Sequence, residues 1–256
     1  MKHIEVVQSE FAKQAGSYGR PGYTIAREDL LAWMVACLPL NHHCRVLDVA
    51  AGTGILSRAL APLVGQVTAI DATAEMLGEG KRLTRQAGIS NLVFEQGIAE
   101  QLPHGDGAFD LVTCRLAVHH LLCPQNAVAE MARVCKPGGA VALMDLVSPD
   151  NAQLAAVYNV YERFRDPSHT VALTHEGLAA LLTTAGLKLV RSEARECELV
   201  AEQWLSLTKT DRQVAERIKD HMLRDIAGQA ATGMRPFVKD GKLMFLHTWH
   251  VVVGQK

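Results

Sequence analysis

The sequence carries almost no excess of charge of either sign. Its 256 residues include 26 Lys and Arg against 27 Asp and Glu, which gives a net charge of −1 at pH 7. No run of like charge and no basic stripe occurs along the chain. A basic patch is the electrostatic footprint of proteins that bind nucleic acids or anionic membranes. We therefore expect neither as a partner.

Paired cysteines and long apolar runs are also missing. The six cysteines form no Cys-x-x-Cys pair, so we expect free thiols and no metal site. The first five residues lack the apolar core of a signal peptide, and no segment reaches the length of a membrane span. Free cysteines are typical of reducing compartments. The sequence therefore predicts a cytoplasmic protein without a membrane span.

One stretch of the sequence determines how the rest of the chain is interpreted. A short apolar run at residues 46–49 is followed by a turn with glycines at positions 52 and 54, and then by a helical pattern. Apolar runs bounded by turn residues are typical of buried parallel strands. Strand, glycine turn and helix form a unit that brings backbone N–H groups against a bound ligand. Glycine is needed there because a Cβ would hold the ligand off or forbid the turn.

A second strand, at residues 66–70, ends at Asp71. An acid at the tip of the second strand, one helix after a glycine turn, commonly accepts hydrogen bonds from both hydroxyls of a ribose. This order of elements predicts a cofactor that contains adenosine. Two cofactor classes share it, and the residues around the turn separate them.

The nicotinamide fingerprint requires Gly or Ala at the position of Ser57, and Asp48 precedes the turn. A carboxylate there would repel a pyrophosphate but suits a ligand that carries an ammonium group. An NAD-dependent oxidoreductase is thus disfavoured and stays an alternative. The stretch from Asp48 to Gly54, Asp-Val-Ala-Ala-Gly-Thr-Gly, resembles the first motif of the class I S-adenosylmethionine-dependent methyltransferases.

The resemblance is greatest to the ubiquinone/menaquinone-biosynthesis C-methyltransferases and their small-molecule relatives. Residues 96–103 are similar to the loop that contacts adenine in that family, and residues 136–139, Lys-Pro-Gly-Gly, match its turn into the fifth strand. The usual Asp or Asn of the adenine loop is Ile98 here, which removes a side-chain acceptor. We expect the adenine to be held by apolar packing and by the backbone N–H of Ala99.

The alternating strands and helices predict an α/β fold with a doubly wound, Rossmann-like sheet. The resemblance implies seven strands, mostly parallel, with the last strand antiparallel between the fifth and sixth. Residues 1–40 are expected to form an N-terminal helical segment over the cofactor, with a loop at 11–23 and a helix at 25–38. Residues 41–256 form the methyltransferase core, with helical lid insertions at about 147–172 and 197–240.

The resemblance implies S-adenosylmethionine as the cofactor. Its expected contacts come from the first motif, the ribose acid and the helix after it, the adenine loop and the end of the fourth strand. They are Asp48, Ala50, Gly52, Thr53, Gly54, Asp71, Ala72, Met76, Ile98, Ala99, Glu100 and Arg115.

The fourth strand, at residues 109–114, should end at the crevice where open α/β sheets bind ligands. Arg115 is placed there to bind the cofactor carboxylate or an acidic substrate, an ion pair within the fold being the alternative. His119 and His120 are candidates for a general base because imidazole titrates near neutral pH. Neighbouring helical residues face different directions, so at most one of them should point into the site.

The N-terminal loop and the first lid insertion supply candidate substrate contacts, which are Tyr18, Tyr23, Tyr161, Arg165 and His169. For each of them, packing of the lid or of the surface is the alternative. The chain is therefore predicted to transfer a methyl group from S-adenosylmethionine to a small, apolar or aromatic acceptor, at carbon or oxygen.

One alternative function keeps the cofactor but catalyses a rearrangement without methyl transfer. Nucleic-acid methylation is disfavoured, because the end of the fourth strand has neither the Asn/Asp-Pro-Pro-aromatic motif nor a Pro-Cys motif. A homodimer is compatible with the sequence.

Overall fold

A computed structural model describes residues 2–19 and 23–256 of the chain. Over these residues, helices flank both faces of one mixed sheet of eight strands. The strands are β1 (Arg45–Val49), β2 (Gln66–Asp71), β3 (Leu92–Gln96), β4 (Phe109–Arg115), β5 (Cys135–Val147), β6 (Lys188–Val200), β7 (Phe237–Lys239) and β8 (Lys242–Gln255). The helices are α1 (His3–Gln14), α2 (Glu28–Ala36), α3 (Ile55–Leu60), α4 (Ala74–Gln86), α5 (Pro124–Val134), α6 (Ala152–Arg165), α7 (His175–Thr184), α8 (Ala201–Leu207) and α9 (Arg212–Ile226).

The strands follow the order β3-β2-β1-β4-β5-β8-β6. From β3 to β5 neighbouring strands are parallel, whereas β8 is antiparallel to both β5 and β6. The predicted doubly wound sheet, with its last strand inserted antiparallel, is thus confirmed.

The number of strands predicted, seven, is wrong. Among the described residues there is an eighth strand, β7, which pairs with the beginning of β8. The connection is a tight turn in which Asp240 and Gly241 both have positive φ, 50° and 71°. Two successive residues of this conformation suit the twist of a two-residue hairpin.

The central strands are buried on both faces, which explains their unbroken apolar runs. Val46 packs in the core beneath α2 and α3, and its neighbour Leu47 packs in the core beneath α5 and α7. Both side chains are 0% exposed. Since successive side chains of a strand point to opposite faces, one apolar run supplies both cores.

The N-terminal segment differs from its prediction. The loop expected at residues 11–23 is helical at its beginning, because α1 extends to Gln14, and residues 20–22 lie outside the described part of the chain. The helix expected at 25–38 is split into a 3₁₀ turn, Thr24–Ala26, and α2. Helix α1 packs against His120: the Phe11 ring meets the His120 ring edge-on, with 4.9 Å between their centroids.

Helices α6, α8 and α9 pack on the core that contains α2 and α3, through Tyr158, Trp204 and Met222 among others. The second lid insertion, expected at about 197–240, is interrupted between α8 and α9, where Lys209 has a φ of 53°. None of the described helices is both long and apolar enough to cross a bilayer.

Candidate active site

A cavity of about 580 Å³ opens where the parallel strands end. Its wall includes Asp48 and Ala50 at the end of β1, Asp71 at the end of β2 and Arg115 at the end of β4. β1 lies between β2 and β4. From β1 the chain continues to β2 and β3 on one side and then returns to form β4 on the other side. Ligands of open α/β sheets bind at such a switch point. The volume lies within the range of small-molecule sites, about 300–1,000 Å³. We call it the larger cavity.

Most residues that the sequence analysis assigned to the cofactor line the larger cavity, and three do not. Those in its wall are Asp48, Ala50, Gly52, Asp71, Ala72, Ile98, Ala99, Glu100 and Arg115. Thr53 and Met76 are 0% exposed, in the turn and inside α4, and neither belongs to the wall. Gly54 is also absent from it and instead permits the turn. Its φ is 74°, and a Cβ would lie 2.9 Å from the Phe94 ring.

Two residues without the freedom of glycine adopt the left-handed conformation in this wall. Ala50 and Leu116 both have a φ of 52°, and they follow the neighbouring strands β1 and β4. This conformation costs a non-glycine residue about 1 kcal/mol or more and concentrates at functional sites. The surrounding fold must therefore stabilise an unfavourable backbone conformation in both turns.

The carboxylate of Asp71 is held by backbone donors. Its Oδ2 accepts from the N–H of Gly52 at 2.7 Å, and its Oδ1 accepts from the N–H of Thr73 at 2.8 Å. Burial raises the pKa of this carboxyl, although these two N–H groups oppose the shift. A carboxylate has about four acceptor sites, so each oxygen keeps one for a ligand hydroxyl.

Asp48 is the more deeply buried acid, with 1% of its surface exposed. The hydroxyl of Ser57 donates to its Oδ2 at 2.5 Å, and the hydroxyl of Thr113 donates to its Oδ1 at 3.0 Å. Burial raises the pKa of Asp48 to about 6, even though both hydroxyls and Arg115 favour its ionised form. Ser57, which breaks the nicotinamide fingerprint, is thus a hydrogen-bond donor to the acid that separates the two cofactor classes.

Arg115 has a donor to spare. Its Nη2 donates to the carbonyl of Ile25 at 2.7 Å, while its buried Nε has no hydrogen-bond partner among residues 2–19 and 23–256. Burial lowers the pKa of the guanidinium. A buried donor without a partner loses its hydration without compensation, so a ligand carboxylate would be favoured here. With Asp48, Asp71 and the glycine turn, these residues fit an adenosine-containing amino acid.

A smaller cavity, about 80 Å³, adjoins the larger one. Four residues belong to both walls: Phe11, Tyr18, Leu116 and His120. In the described part of the chain, three buried N–H groups of this wall have no partner; they belong to Gln14 Nε2, Trp204 Nε1 and Trp249 Nε1. The guanidinium of Arg165 lies 4.8 Å from the Trp204 ring centroid and donates to the Trp204 carbonyl. The wall is apolar with a few free donors, as in small-molecule sites.

The predicted catalytic and substrate residues are divided by the structure. His119, His120, Tyr18, Tyr23 and Arg165 line the smaller cavity.

Tyr161 and His169 line neither of the two cavities. The hydroxyl of Tyr161 is 2.8 Å from His221 Nδ1, and His169 Nε2 is 2.8 Å from Asn159 Oδ1. Packing within the lid, the alternative that the sequence left open, describes both.

The wall also contains residues that the sequence analysis did not single out. They come from α1, α8 and β8, and include His3, Ile4, Val7, Phe11, Trp204 and Trp249. In the sequence, the apolar residues of α1 are scattered among polar ones, and the two tryptophans occur in ordinary apolar patterns. The one feature that could have indicated the site is the residue type itself, because a buried tryptophan needs a partner for its N–H group.

The fold and this site define a class of protein that comparison identifies. A family model described as "Methyltransferase domain" matches residues 47–143. Together with a putative methyltransferase of known structure that is 30% identical and covered to 98%, this match shows that the chain belongs to the class I S-adenosylmethionine-dependent methyltransferases, as its first motif indicated.

Among individual relatives, the chain is 37% identical over 162 residues to the uncharacterized methyltransferase YcgJ of Bacillus subtilis (strain 168), which covers 63% of this chain and 64% of that one. It is 39% identical over 121 residues to the ubiquinone/menaquinone biosynthesis C-methyltransferase UbiE of Ectopseudomonas mendocina (strain ymp), covering 46% of this chain and 47% of the relative. The chain thus aligns with less than two thirds of either relative.

Similarity of structure extends further than similarity of sequence. The crystal structure of YcgJ superposes with a TM-score of 0.81 at 27% identity, covering 90% of this chain and 99% of that one. The structure of BH2331 from Bacillus halodurans C-125 gives a TM-score of 0.82 at 30% identity, covering 88% and 98%. These superpositions therefore extend well beyond residues 47–143 of the matched domain.

Proposed function

We propose that this chain binds S-adenosylmethionine in the larger cavity and transfers its methyl group to a small molecule in the smaller cavity. One observation carries the proposal. Asp48 and Asp71 stand on either side of the glycine turn, at the ends of two neighbouring strands, in the wall of one cavity of suitable volume.

The residues of the larger cavity fit the parts of this cofactor. The two free acceptor sites of Asp71 suit the ribose hydroxyls, and Ile98 and Ala99 suit the adenine. Asp48 suits the positive charge of the amino acid part, and the spare Nε–H of Arg115 suits its carboxylate. When bound, the cofactor supplies a methyl group that its sulfonium already activates. The chain then has to align the acceptor and exclude water.

The smaller cavity suits an acceptor that is apolar or aromatic at its reacting end. Phe11, Tyr18 and Leu116 form the boundary across which the two cavities meet. The UbiE relatives are named as C-methyltransferases, and this chain aligns with about half of the one compared. We therefore propose either carbon or oxygen as the atom that is methylated.

Calorimetric titration with S-adenosylmethionine, S-adenosylhomocysteine and NAD tests the cofactor. We expect saturable binding of the first two and no binding of NAD. Asp71→Ala removes the acceptors for both ribose hydroxyls and should weaken binding by about 2–4 kcal/mol. Asp240→Asn, at the exposed hairpin turn, is the matched control and should bind like the unaltered chain.

Binding of NAD alone would overturn the proposal, and full affinity in Asp71→Ala would overturn the ribose assignment. Thermal melting of Asp71→Ala is required as well, because the N–H groups of Gly52 and Thr73 lose their acceptor. Product mass then tests the reaction. A gain of one methyl group supports transfer, whereas an unchanged mass with an altered structure supports a rearrangement.

A further inference from the structure

His120 occupies the boundary between the two cavities. It is 8% exposed and lines both walls, whereas His119 lines only the smaller one. Its backbone carbonyl lies 2.8 Å from His3 Nε2, and its ring packs edge-on against Phe11 at 4.9 Å. The main chain and the ring are thus both held by α1. Its ring is the only histidine ring that lines both cavities among the described residues.

The hydrogen bonds behind the ring determine which of its nitrogens carries a proton. Ser168 Oγ is 2.5 Å from Asp166 Oδ1, and the Ser168 N–H donates to the same oxygen at 2.9 Å. A carboxylate only accepts, so the single hydroxyl proton of Ser168 is directed to Asp166. The Ser168 oxygen therefore presents a lone pair to His120 Nδ1, 3.1 Å away. This requires the proton on Nδ1.

The other nitrogen of His120 is consequently left with its lone pair. Nε2 forms no hydrogen bond to the described residues, and it is not among their fully buried polar atoms. Burial and, after it, the neighbouring His119 lower the pKa of His120 to about 4, so the ring is neutral at pH 7. The titratable groups around it are His119, Asp145, Asp166 and His169.

His119 also has its Nδ1 fixed by a hydrogen bond, but its partner is a carboxylate and not a hydroxyl. Its Nδ1 lies 2.6 Å from Asp145 Oδ1, and its backbone N–H donates to the other oxygen of that carboxylate at 3.0 Å. Burial alone would lower the pKa of His119, but Asp145 outweighs burial and raises it. His119 is thus the more basic ring, but it lines only the smaller cavity, whereas His120 lines both.

We propose that His120 Nε2 is the general base of the smaller cavity and that Ser168 and Asp166 are positioning residues that hold it in the reactive tautomer. The inference rests on the proposed function and narrows it. The acceptor is a molecule whose attacking atom carries a proton, a hydroxyl or an acidic C–H, because a tertiary amine or a thioether would need no base.

The proton of the acceptor passes to Nε2, and the electron pair of its bond stays on the attacking atom. That atom forms a bond to the methyl carbon, and the pair of the broken carbon–sulfur bond stays on sulfur. His120 then carries a positive charge, which the hydrogen bond through Ser168 connects to the carboxylate of Asp166.

The tautomer can be measured directly by ¹⁵N NMR of the full chain labelled at histidine. The signals of His120 are those that disappear in His120→Gln. We expect Nδ1 protonated and Nε2 unprotonated at pH 7, and we expect Ser168→Ala to move population toward the Nε2–H form. Ser168→Thr, which keeps the hydroxyl, should restore the original tautomer. Ser192→Ala removes a different serine–histidine bond, 2.8 Å to His250, and should leave His120 unchanged.

An Nε2–H form in the unaltered chain, or a Ser168→Ala spectrum without change at His120, overturns the inference. The NMR measurement needs neither cofactor nor acceptor. Failure of the proposed function, seen as absent cofactor binding in calorimetry, is therefore distinguishable from failure of this one.

A kinetic measurement completes the test once product mass has identified an acceptor. A general base contributes about 10²–10⁴-fold to the rate, so His120→Gln should lower kcat at least 100-fold. Ser168→Ala should lower kcat about tenfold without changing the KM for S-adenosylmethionine. Equal kcat in His120→Gln and in the unaltered chain overturns the assignment of the base.

Discussion

Among the individual residues, Asp48 combines burial with charge most directly. Two hydroxyls donate to it, yet burial still raises its pKa to about 6. Above that pH the ionised carboxylate offers a positive ligand group an attraction that water barely screens. Below it, the neutral acid offers only hydrogen bonds. The proposed binding of an amino acid ammonium group should therefore depend on pH in a range where the ligand itself does not titrate.

We expect the affinity for S-adenosylhomocysteine to be constant above about pH 7 and to fall toward tenfold per pH unit below about pH 6. The sign follows from the binding form, because protonation removes the carboxylate that binds. Calorimetry between pH 5 and pH 8 measures the dependence. 5′-Methylthioadenosine has the same nucleoside but no ammonium group, so its affinity should change little over this range.

Ser57→Ala sharpens this prediction. It removes the 2.5 Å hydrogen bond that stabilises the ionised form, so the inflection should move to higher pH. Equal pH dependence for the two ligands, or an inflection that Ser57→Ala leaves in place, would contradict the role of Asp48.

At this scale the sequence predicted Asp48 and Asp71 as residues of one site, and the structure brings them together. Both lie at the ends of parallel strands, a position that depends only on neighbouring residues. Their functional roles stay predictions. The hydrogen bond from Ser57 to Asp48 was not foreseen, because the spacing of nine residues spans a strand end, a turn and the first turn of α3. In the sequence, Ser57 stood out only because it departs from the nicotinamide fingerprint.

At the scale of elements, we expect α1 to be the part of the site that opens. It lies across the larger cavity and is tied to two loops of the wall. Gln8 Nε2 donates to the carbonyl of Ala72 at 2.9 Å, and His3 Nε2 is 2.8 Å from the carbonyl of His120. Few hydrogen bonds hold this helix, so it can open locally at low free-energy cost. Ligand entry is expected to require such opening.

Gln8→Ala tests α1 as a lid. Loss of one hydrogen bond, about 1 kcal/mol, should favour the open helix and speed the release of S-adenosylhomocysteine about fivefold. Stopped-flow displacement measures the rate. Ser9→Ala, on the exposed side of the same helix, should release the ligand at the original rate. Equal rates in the two variants would show that α1 does not limit release.

The larger cavity was predictable in outline, whereas the smaller one was predictable only in part: several of its residues were expected, but not those of α1, α8 and β8. Strand ends and the glycine turn follow each other along the chain, so local pattern predicts their meeting. Phe11 of α1, Trp204 of α8 and Trp249 of β8 meet only because β8 inserts between β5 and β6 and the lid folds over its end. Such contacts depend on the whole fold, and no local period encodes them.

At the scale of the molecule, a buried hydrogen bond joins the lid to the sheet. Glu162 of α6 is 0% exposed; its Oε1 lies 3.0 Å from His247 Nε2 of β8, and its Oε2 accepts from Arg165 at 3.3 Å. Burial alone would raise the pKa of Glu162, but His247 and Arg165 outweigh burial and hold it well below its usual value. The link stabilises the folded chain wherever Glu162 is ionised.

Glu162→Gln should therefore lower the free energy of unfolding by about 3 kcal/mol at pH 7, because it leaves Arg165 without its buried counter-charge. A carboxyl whose pKa is depressed by folding contributes stability above its unfolded pKa, about 4.3, and loses that contribution as the pH falls toward the folded pKa. The difference between variant and unaltered chain should accordingly shrink below about pH 4.3. Urea unfolding at pH 7, 5 and 3.5 measures it.

Glu202→Gln, in an exposed pair with Lys219, should change stability by less than about 1 kcal/mol at each pH. A Glu162→Gln penalty no larger than that of Glu202→Gln, or one that grows on acidification, would mean that packing alone, and not the buried charge, joins the lid to the sheet.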